Sequence, residues 1–276
     1  MIRDITLGQY YQTESVIHKM DPRYKIIATF IYIVSLFVFK NPYIYILGTL
    51  FLITAIGLSR VPVKFIFRGM NAIWILLIVT IVFNMFLIEG EPLFSVWKIT
   101  ASKEGTQNAI YMAVRLVLLI CGSSIMTLTT TPNSLTDGLE KVLAPLKIFK
   151  VPVHDIAMMM SIALRFIPIL MDETDKIMKA QLSRGADFES RNIIKKMRSL
   201  VPILIPLFVS AFRRASDLAM AMEARCYHGG DGRTKMKPLK YHTRDYIGYL
   251  VIMIYLIIFI LLGIFAKYLP WGNGIF

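Results

Sequence analysis

The chain contains the stretch Ala180-Gln-Leu-Ser-Arg-Gly185, and a related stretch, Ala221-Met-Glu-Ala-Arg-Cys226, follows about 41 positions later. In each copy an arginine lies between two small residues. Each copy also stands at the end of a long segment whose apolar residues recur with the period of an α-helix. A single arginine there would only complement the helix dipole. Two copies, at the ends of successive helices, predict a docking device, because small neighbours permit close approach and a guanidinium offers a rigid fork of donors.

The composition identifies the class of protein. Of 276 residues, 56% are hydrophobic, and the mean hydropathy is +0.59. A soluble domain of this length is normally less apolar, and long apolar runs indicate several membrane spans. We therefore expect an all-α polytopic membrane protein with about five transmembrane helices and a cytoplasmic coupling domain of about three helices. The spans are predicted at 26–39, 43–58, 70–88, 107–130 and 246–269.

The distribution of basic residues predicts the topology. The formal net charge is +13, and 26 of the 31 Lys and Arg residues lie in 1–25, 59–69 and 131–244. Because Lys and Arg concentrate in cytoplasmic loops, this asymmetry places the N-terminus and region 131–244 in the cytoplasm. It also favours membrane topology over nucleic-acid binding as the reason for the charge. The predicted domains are an N-terminal transmembrane domain of about four spans, 1–130, the coupling domain, 131–244, and a C-terminal transmembrane helix, 245–276.

The coupling domain is predicted to contain one short and two long helices. The short helix begins at a capping-box-like pattern at 134–137 and ends at the Ala-Pro pair at 144–145. The long helices are predicted over 152–184 and 199–228. In each, the first half is apolar and the second half is charged. We therefore expect both to begin against the membrane and to end in the cytoplasm.

Motifs for catalysis are absent from the sequence. It contains no Gly-x-x-x-x-Gly-Lys-Ser/Thr loop for ATP phosphates, no His-Glu-x-x-His and no Gly-x-Ser-x-Gly. No close pair of carboxylates lies in a predicted span. An enzyme is therefore disfavoured, and we expect no catalytic residue, no cofactor and no metal site.

Arg115 is a charged residue inside a predicted span, and two interpretations remain open. It lies near the external end of its helix, so its side chain could reach the interface as a structural feature. A charge within a span is otherwise a candidate functional group. On the second interpretation the chain would be a self-contained secondary transporter or channel, although such carriers usually show paired inverted halves.

Several segments together resemble one known family. Asp21-Pro22-Arg23, Ser183-Arg184-Gly185, Ala224-Arg225-Cys226 and the closing hydrophobic span are similar to the transmembrane T component of energy-coupling factor (ECF) transporters. The resemblance covers essentially the whole chain. The sequence departs from the strict Ala-Arg-Gly pattern at Ser183 and Cys226. Both replacements are small, so close approach should survive, but cysteine adopts a left-handed helix cap less readily than glycine does.

The resemblance implies a multi-pass scaffold in the cell membrane, belonging to an ABC-type importer of vitamins or other micronutrients. Its implied partners are two ABC-type ATPase subunits and a membrane-embedded, substrate-binding S component, with no nucleic acid. The scaffold itself would neither bind substrate nor hydrolyse ATP. Arg184 and Arg225 would each enter a groove on one ATPase. The flanking small residues that would keep this contact tight are Ser183, Gly185, Ala224 and Cys226.

Methionines on the first long helix suggest a contact with the S component. The residues are Met158, Met159, Met160 and Met171. Methionine is unbranched and adaptable, which suits a surface that accepts several partners. Ordinary helix packing is the simpler explanation for any single one of them.

Overall fold

The computed structural model describes residues 10–38, 41–70, 73–87, 92–96, 99–186, 193–229, 236 and 238–265. Most of these residues lie in α-helices. The helices are α1 (Pro22–Val38), α2 (Pro42–Ser59), α3 (Val63–Met70), α4 (Trp74–Leu87), α5 (Lys103–Thr129), α6 (Pro132–Val142), α7 (Val153–Ser183), α8 (Ile193–Glu223) and α9 (Thr243–Phe265). A 3₁₀ helix spans Ala144–Phe149, and two strands, β1 (Pro92–Val96) and β2 (Ile99–Ser102), precede α5.

Contacts between Cα atoms divide the chain into two compact units. One, the bundle unit, contains the described residues up to 142 together with those from 239 onward. The other, the long-helix unit, contains the described residues from 143 to 238. Helix α6, which the sequence assigned to the coupling domain, packs against α1 in the bundle unit. The two helices are so close that a Cβ atom at Gly138 would lie 3.0 Å from Pro22 Cβ.

Within the described residues, five helices are long and apolar enough to cross a membrane by length and composition. They are α2 and α9, most of α5 and α8, and α7. The expected all-α polytopic class is therefore confirmed. Helices α1 and α4 are shorter, with 17 and 14 residues. Because α7 and α8 belong to the predicted coupling domain, their position relative to the membrane remains a prediction.

Short polar side chains cap the beginnings of α1, α2 and α5. Asp21 Oδ1 accepts a hydrogen bond from Arg23 N at 2.8 Å, and Asn41 Oδ1 accepts one from Tyr43 N at 3.0 Å. Ser102 Oγ accepts from the backbone N–H of the third residue of α5 at 2.9 Å. Each bond satisfies an N–H group that has no partner inside its helix. The last cap explains why α5 begins at residue 103, before the predicted 107.

The predicted external loop contains a short antiparallel ladder. Strand β1 pairs with β2, with Phe94 opposite Ala101 and Val96 opposite Ile99. We did not predict these strands, because four or five residues carry little alternation of apolar and polar positions. From the sequence alone, the apolar residues Leu93, Phe94 and Val96 of this loop are predicted to lie at the membrane interface, together with Trp97, which is outside the described residues.

Tyr32 on α1 lies at the centre of the bundle unit. It is 2% exposed, and its ring centroid lies 5.7 Å from that of Phe51 and 6.4 Å from that of Tyr255. A Cβ atom at Gly122 would lie 2.6 Å from the Tyr32 ring, so glycine is what allows α5 to approach α1 this closely. Small residues at helix contacts are typical of membrane bundles, where close backbone packing stabilises association.

A buried carboxylate joins the beginnings of α1 and α9. Asp245 is fully buried, and its carboxylate accepts hydrogen bonds from Asp21 N and from His242 N, both at 2.8 Å. Asp21 in turn binds Arg23 through two contacts of 3.0 and 2.7 Å. The Arg23 guanidinium lies 3.8 Å from the centroid of the Tyr241 ring. The Asp-Pro-Arg segment is therefore both a helix cap and part of a contact between two helices that are distant in sequence.

Replacing Asp245 by alanine should destabilise the bundle unit. The change leaves the buried N–H of Asp21 and the partly buried N–H of His242 without an acceptor, at a cost of about 2–4 kcal/mol. The measurement is the thermal unfolding midpoint of the purified protein in detergent. Glu14→Ala is the control, because Glu14 pairs with Lys19 at an exposed site, where an ion pair contributes little. Equal midpoints for the two variants would contradict the role given to Asp245.

Candidate functional site

The end of α7 is a Schellman motif that presents Arg184. Gly185 N donates to Leu182 O at 3.0 Å, and Ala186 N donates to Gln181 O at 3.0 Å. Gly185 has a φ of +87°, the left-handed conformation that this motif requires. These bonds satisfy carbonyl groups that have no partner inside the helix, so the backbone around the arginine is fixed.

The end of α8 has the same arrangement around Arg225. Cys226 N donates to Glu223 O at 2.8 Å, and Tyr227 N donates to Met222 O at 3.1 Å. Cys226 adopts the left-handed conformation, with a φ of +54°. The two related sequences therefore form the same backbone structure, with the arginine directly before the left-handed residue in both.

We call the segments Ser183–Gly185 and Ala224–Cys226 the two arginine ends. All six of their residues are exposed. Among the described residues, neither Arg184 nor Arg225 forms an ion pair. Each end thus offers an uncompensated guanidinium between small residues. Such a group can donate two parallel hydrogen bonds to a carboxylate on another chain.

Helices α7 and α8 pack antiparallel, so the two arginine ends lie at opposite ends of the helix pair. Gln181, near the end of α7, donates from Nε2 to Pro202 O near the beginning of α8 at 3.3 Å. In the middle, Arg214 binds Glu173 at 2.9 Å. This corrects one expectation from the sequence. Two helices that both begin at the membrane and both point away from it would run parallel, and these do not.

The contact between Gln181 and Pro202 depends on a second proline. In an uninterrupted helix the carbonyl of residue 202 would accept from the N–H of residue 206. Residue 206 is Pro, which has no N–H, so the carbonyl of Pro202 is available to Gln181. We expected a helix to begin near Ser199 and Pro202, and this was wrong. Helix α8 begins at Ile193 and continues through both prolines.

A cavity of about 560 Å³ lies between the Arg225 end of α8 and the first half of α7. Arg165 on α7 and Arg225 both line it, together with Met158 and Cys226. Two guanidinium groups at one cavity favour an anionic occupant. Arg165 was not identified from the sequence, because nothing in the spacing of α7 indicates that the end of α8 returns to it.

The four methionines of α7 that were predicted to contact the S component do not form one surface. Met159 and Met160 are exposed, at 57% and 42% of their maximal area. Met158 is half-buried and lines the cavity beside Arg225, and Met171 is also half-buried. Only Met159 and Met160 are therefore freely available to a partner in this unit.

Arg115 is accounted for by contacts inside the bundle unit. It is 8% exposed, and its Nε and one terminal nitrogen donate to the Tyr45 hydroxyl at 3.1 and 2.7 Å. Its guanidinium also lies 5.2 Å from the centroid of the Phe37 ring, within the range of a cation–π contact. Among the described residues no carboxylate pairs with it. These contacts favour the structural interpretation.

The fold and the two arginine ends define a class: polytopic helical membrane proteins with a pair of long antiparallel helices that each end in an exposed arginine. A family model described as "CbiQ: Cobalt transport protein" matches residues 13–236. The chain belongs to this family. The match spans α1 to α8, including both arginine ends, and it confirms that the chain is a component of membrane transport.

Relatives across nearly the full length bear the same name. The chain is 54% identical over 276 residues to the energy-coupling factor transporter transmembrane protein EcfT of Clostridium kluyveri, covering 99% of this chain and 100% of the relative. It is 54% identical over 245 residues to EcfT of Ruminiclostridium cellulolyticum, covering 89% and 92%. It is 46% identical over 261 residues to EcfT of Lactococcus lactis subsp. cremoris, covering 94% and 98%. The resemblance to the ECF T component is thereby confirmed.

The two left-handed residues give a matched pair of predictions. Cys226→Gly should stabilise the end of α8, and Gly185→Ala should destabilise the end of α7, each by about 1 kcal/mol, because only glycine adopts this conformation without cost. A Cβ atom at Gly185 would meet nothing within 4 Å, so backbone strain alone determines the effect. The measurement is amide hydrogen exchange at each helix end. Slower exchange at residue 185 in Gly185→Ala would contradict the assignment.

Proposed function

We propose that this chain is the coupling scaffold of an ECF-type ABC importer. It would join two ABC-type ATPase subunits to a membrane-embedded S component that binds a vitamin or another micronutrient. The chain is non-catalytic in this proposal, and ATP hydrolysis belongs to the partners. The observation that carries the proposal is the repeated motif: two helix ends with the same backbone geometry each present one exposed arginine.

The antiparallel pairing suits a scaffold that holds two subunits at once. The cavity beside the Arg225 end is lined by α7 near Ile162, and Ile162 and Arg184 are 22 residues apart. That separation corresponds to about 33 Å of helix. Two arginine ends so far apart can each enter a different ATPase subunit without interfering with each other. Parallel helices would instead place both ends close together.

Each arginine end would bind its ATPase through the guanidinium and through close backbone approach. The small neighbours at 183, 185, 224 and 226 leave no bulky side chain that would hold a partner away. At the α8 end, Arg165 adds a second positive charge to the same cavity. The two ends therefore differ chemically, and the α8 end should accept a more strongly anionic groove than the α7 end.

Helices α7 and α8 would move together when the ATPases move. When ATP draws two ATPases together, the ends they hold must change their separation or orientation. The Glu173–Arg214 ion pair and the Gln181–Pro202 hydrogen bond join α7 to α8 and resist sliding between them. Displacement at the arginine ends would then reach the S component through the apolar first halves of both helices. Their exposed apolar side chains, such as Ile156, Leu204 and Phe208, are available for that contact.

Reversing the charge of either arginine should uncouple the importer. A hydrogen bond to a charged group contributes about 1.5–3 kcal/mol, which is a factor of about 10 to 150 in affinity. We expect Arg184→Glu and Arg225→Glu to lose the ATPases on co-purification and to lose ATP-dependent uptake. Both helix ends are exposed, so the variants should remain folded.

The matched controls reverse an exposed charge elsewhere on the same helices. Lys176→Glu on α7 and Arg213→Glu on α8 change the net charge equally but lie away from the arginine ends. Both should retain the ATPases. Normal ATPase binding and normal uptake in both arginine-end variants would refute the proposed attachment. Solute transport by the purified chain alone in vesicles would instead establish a self-contained carrier.

The exposed methionines provide a separate prediction about the S component. Met159→Leu together with Met160→Leu keeps the apolar volume but removes the flexible side chains. If these residues adapt the scaffold to several S components, uptake should fall for some substrates and not for others. Met158→Leu, at the half-buried position in the cavity, serves as the comparison. Equal uptake of every substrate in the double variant would exclude partner adaptation at these positions.

A further inference from the structure

A second cavity lies inside the bundle unit and plays no part in the proposed coupling. Its volume is about 270 Å³, and its walls come from α1, α2, α5, α9 and the segment preceding α1. Most of the surface is apolar. The apolar side chains include Ile17, Met20, Ala28, Leu52, Ile125 and Val251.

The few charged groups of this cavity lie at one end. Lys25 is near the beginning of α1 and Arg244 is near the beginning of α9, while Thr129 ends α5. The predicted topology places these helix ends on the cytoplasmic side. Tyr32, in the apolar interior of the bundle unit, lies at the opposite end of the cavity. From Lys25 to Tyr32 is seven residues, or about 10 Å of helix, within the depth of one leaflet.

Exposed apolar residues of α2 and α9 form part of the cavity wall, and we place its opening between these helices. These helices meet at Phe51 and Tyr255, whose ring centroids are 4.8 Å apart. From there towards the charged end, the walls include Leu58 and Ile247, which are 57% and 58% exposed. In a membrane-spanning bundle, exposed apolar side chains at this depth contact lipid. The opening therefore leads to the bilayer.

In the part of the chain that the structure describes, neither Lys25 nor Arg244 forms an ion pair with a carboxylate. Lys25 is 6% exposed and donates to Thr129 O at 2.8 Å and to His18 O at 3.3 Å. Arg244 Nε is buried, and it has no hydrogen-bond partner among the described residues. A buried donor without an acceptor is costly, so the Arg244 guanidinium would be stabilised by an acceptor brought to this end of the cavity.

The neighbouring carboxylates are already occupied. Asp21 binds the side chain of Arg23, and Asp245 accepts two backbone N–H groups. Lys25 and Arg244 therefore add positive charge that these two acids do not neutralise through direct contact. An occupant that complements the cavity has a long apolar part and one negative group at its cytoplasmic end.

We propose that this cavity binds one anionic phospholipid from the cytoplasmic leaflet. An acyl chain enters between α2 and α9 and lies along Ala28 and Leu52, and the phosphate accepts hydrogen bonds from Arg244 and Lys25. Basic pockets between membrane helices on the cytoplasmic side suit such headgroups. The inference does not depend on the coupling function, because none of these residues belongs to the long-helix unit.

Lipid retention by the purified full-length chain tests the proposal. The protein is incubated in detergent with phosphatidylglycerol or with phosphatidylcholine, washed, and analysed by native mass spectrometry. We expect phosphatidylglycerol to be retained at least about tenfold more than phosphatidylcholine, since a charge-assisted contact distinguishes the two. Arg244→Gln should reduce phosphatidylglycerol retention about tenfold. Lys64→Gln, an exposed change on α3 outside the cavity, should not.

A second variant tests the cavity independently of the charge. Val251→Trp places a large side chain at a wall position that is 44% exposed, so it should block the opening without crowding the core. Retention of phosphatidylglycerol should then fall to the level of phosphatidylcholine. Equal retention of the two lipids by the unaltered chain, or unchanged retention in Val251→Trp, would overturn the proposal. So would displacement of the lipid by inorganic phosphate, which would identify a simple anion site.

Discussion

The antiparallel contact between α7 and α8 is the constraint on which the proposed mechanism depends. Among the described residues, the Glu173–Arg214 ion pair and the hydrogen bond from Gln181 to Pro202 O join the two helices. Neither contact is strong by itself, because both are at least partly exposed. Together they fix the register of two 31-residue helices, and that register sets the distance between the arginine ends. A slip along the helices would change the spacing available to two partner subunits.

Local sequence signals predicted the arginine ends well, and the reason is physical. A helix end is decided within a few residues by breakers and by a residue that accepts a left-handed conformation. Gly185 and the glycines after Cys226 supplied those signals, and the predicted end of the first long helix agrees with the structure. The orientation of the helices was not predictable in this way. It depends on contacts between residues 21 and 41 positions apart, which leave no periodic trace in the sequence.

The remaining differences have the same origin. Pro202 suggested a helix beginning, but a proline inside a long helix is tolerated when a neighbouring side chain satisfies the freed carbonyl, as Gln181 does. The role of Asp245 could not be found from its surroundings in the sequence, because its partner Asp21 is 224 positions away. Arg165 and the two cavities were missed for the same reason. Membrane spans and caps are local properties, whereas cavities arise where distant elements meet.

The proline pair in α8 has a mechanical consequence. Pro206 removes a bond that would hold α8 straight, and the carbonyl released by that loss joins α8 to α7. The carbonyl oxygen of Pro202 therefore affects two properties: the flexibility of α8, in which it has no partner, and the contact of α8 with α7, through Gln181. Bending of α8 at this point must stretch or shorten the bond to Gln181, three residues before Arg184. Bending of α8 at Pro202 would therefore pull on the end of α7, next to Arg184.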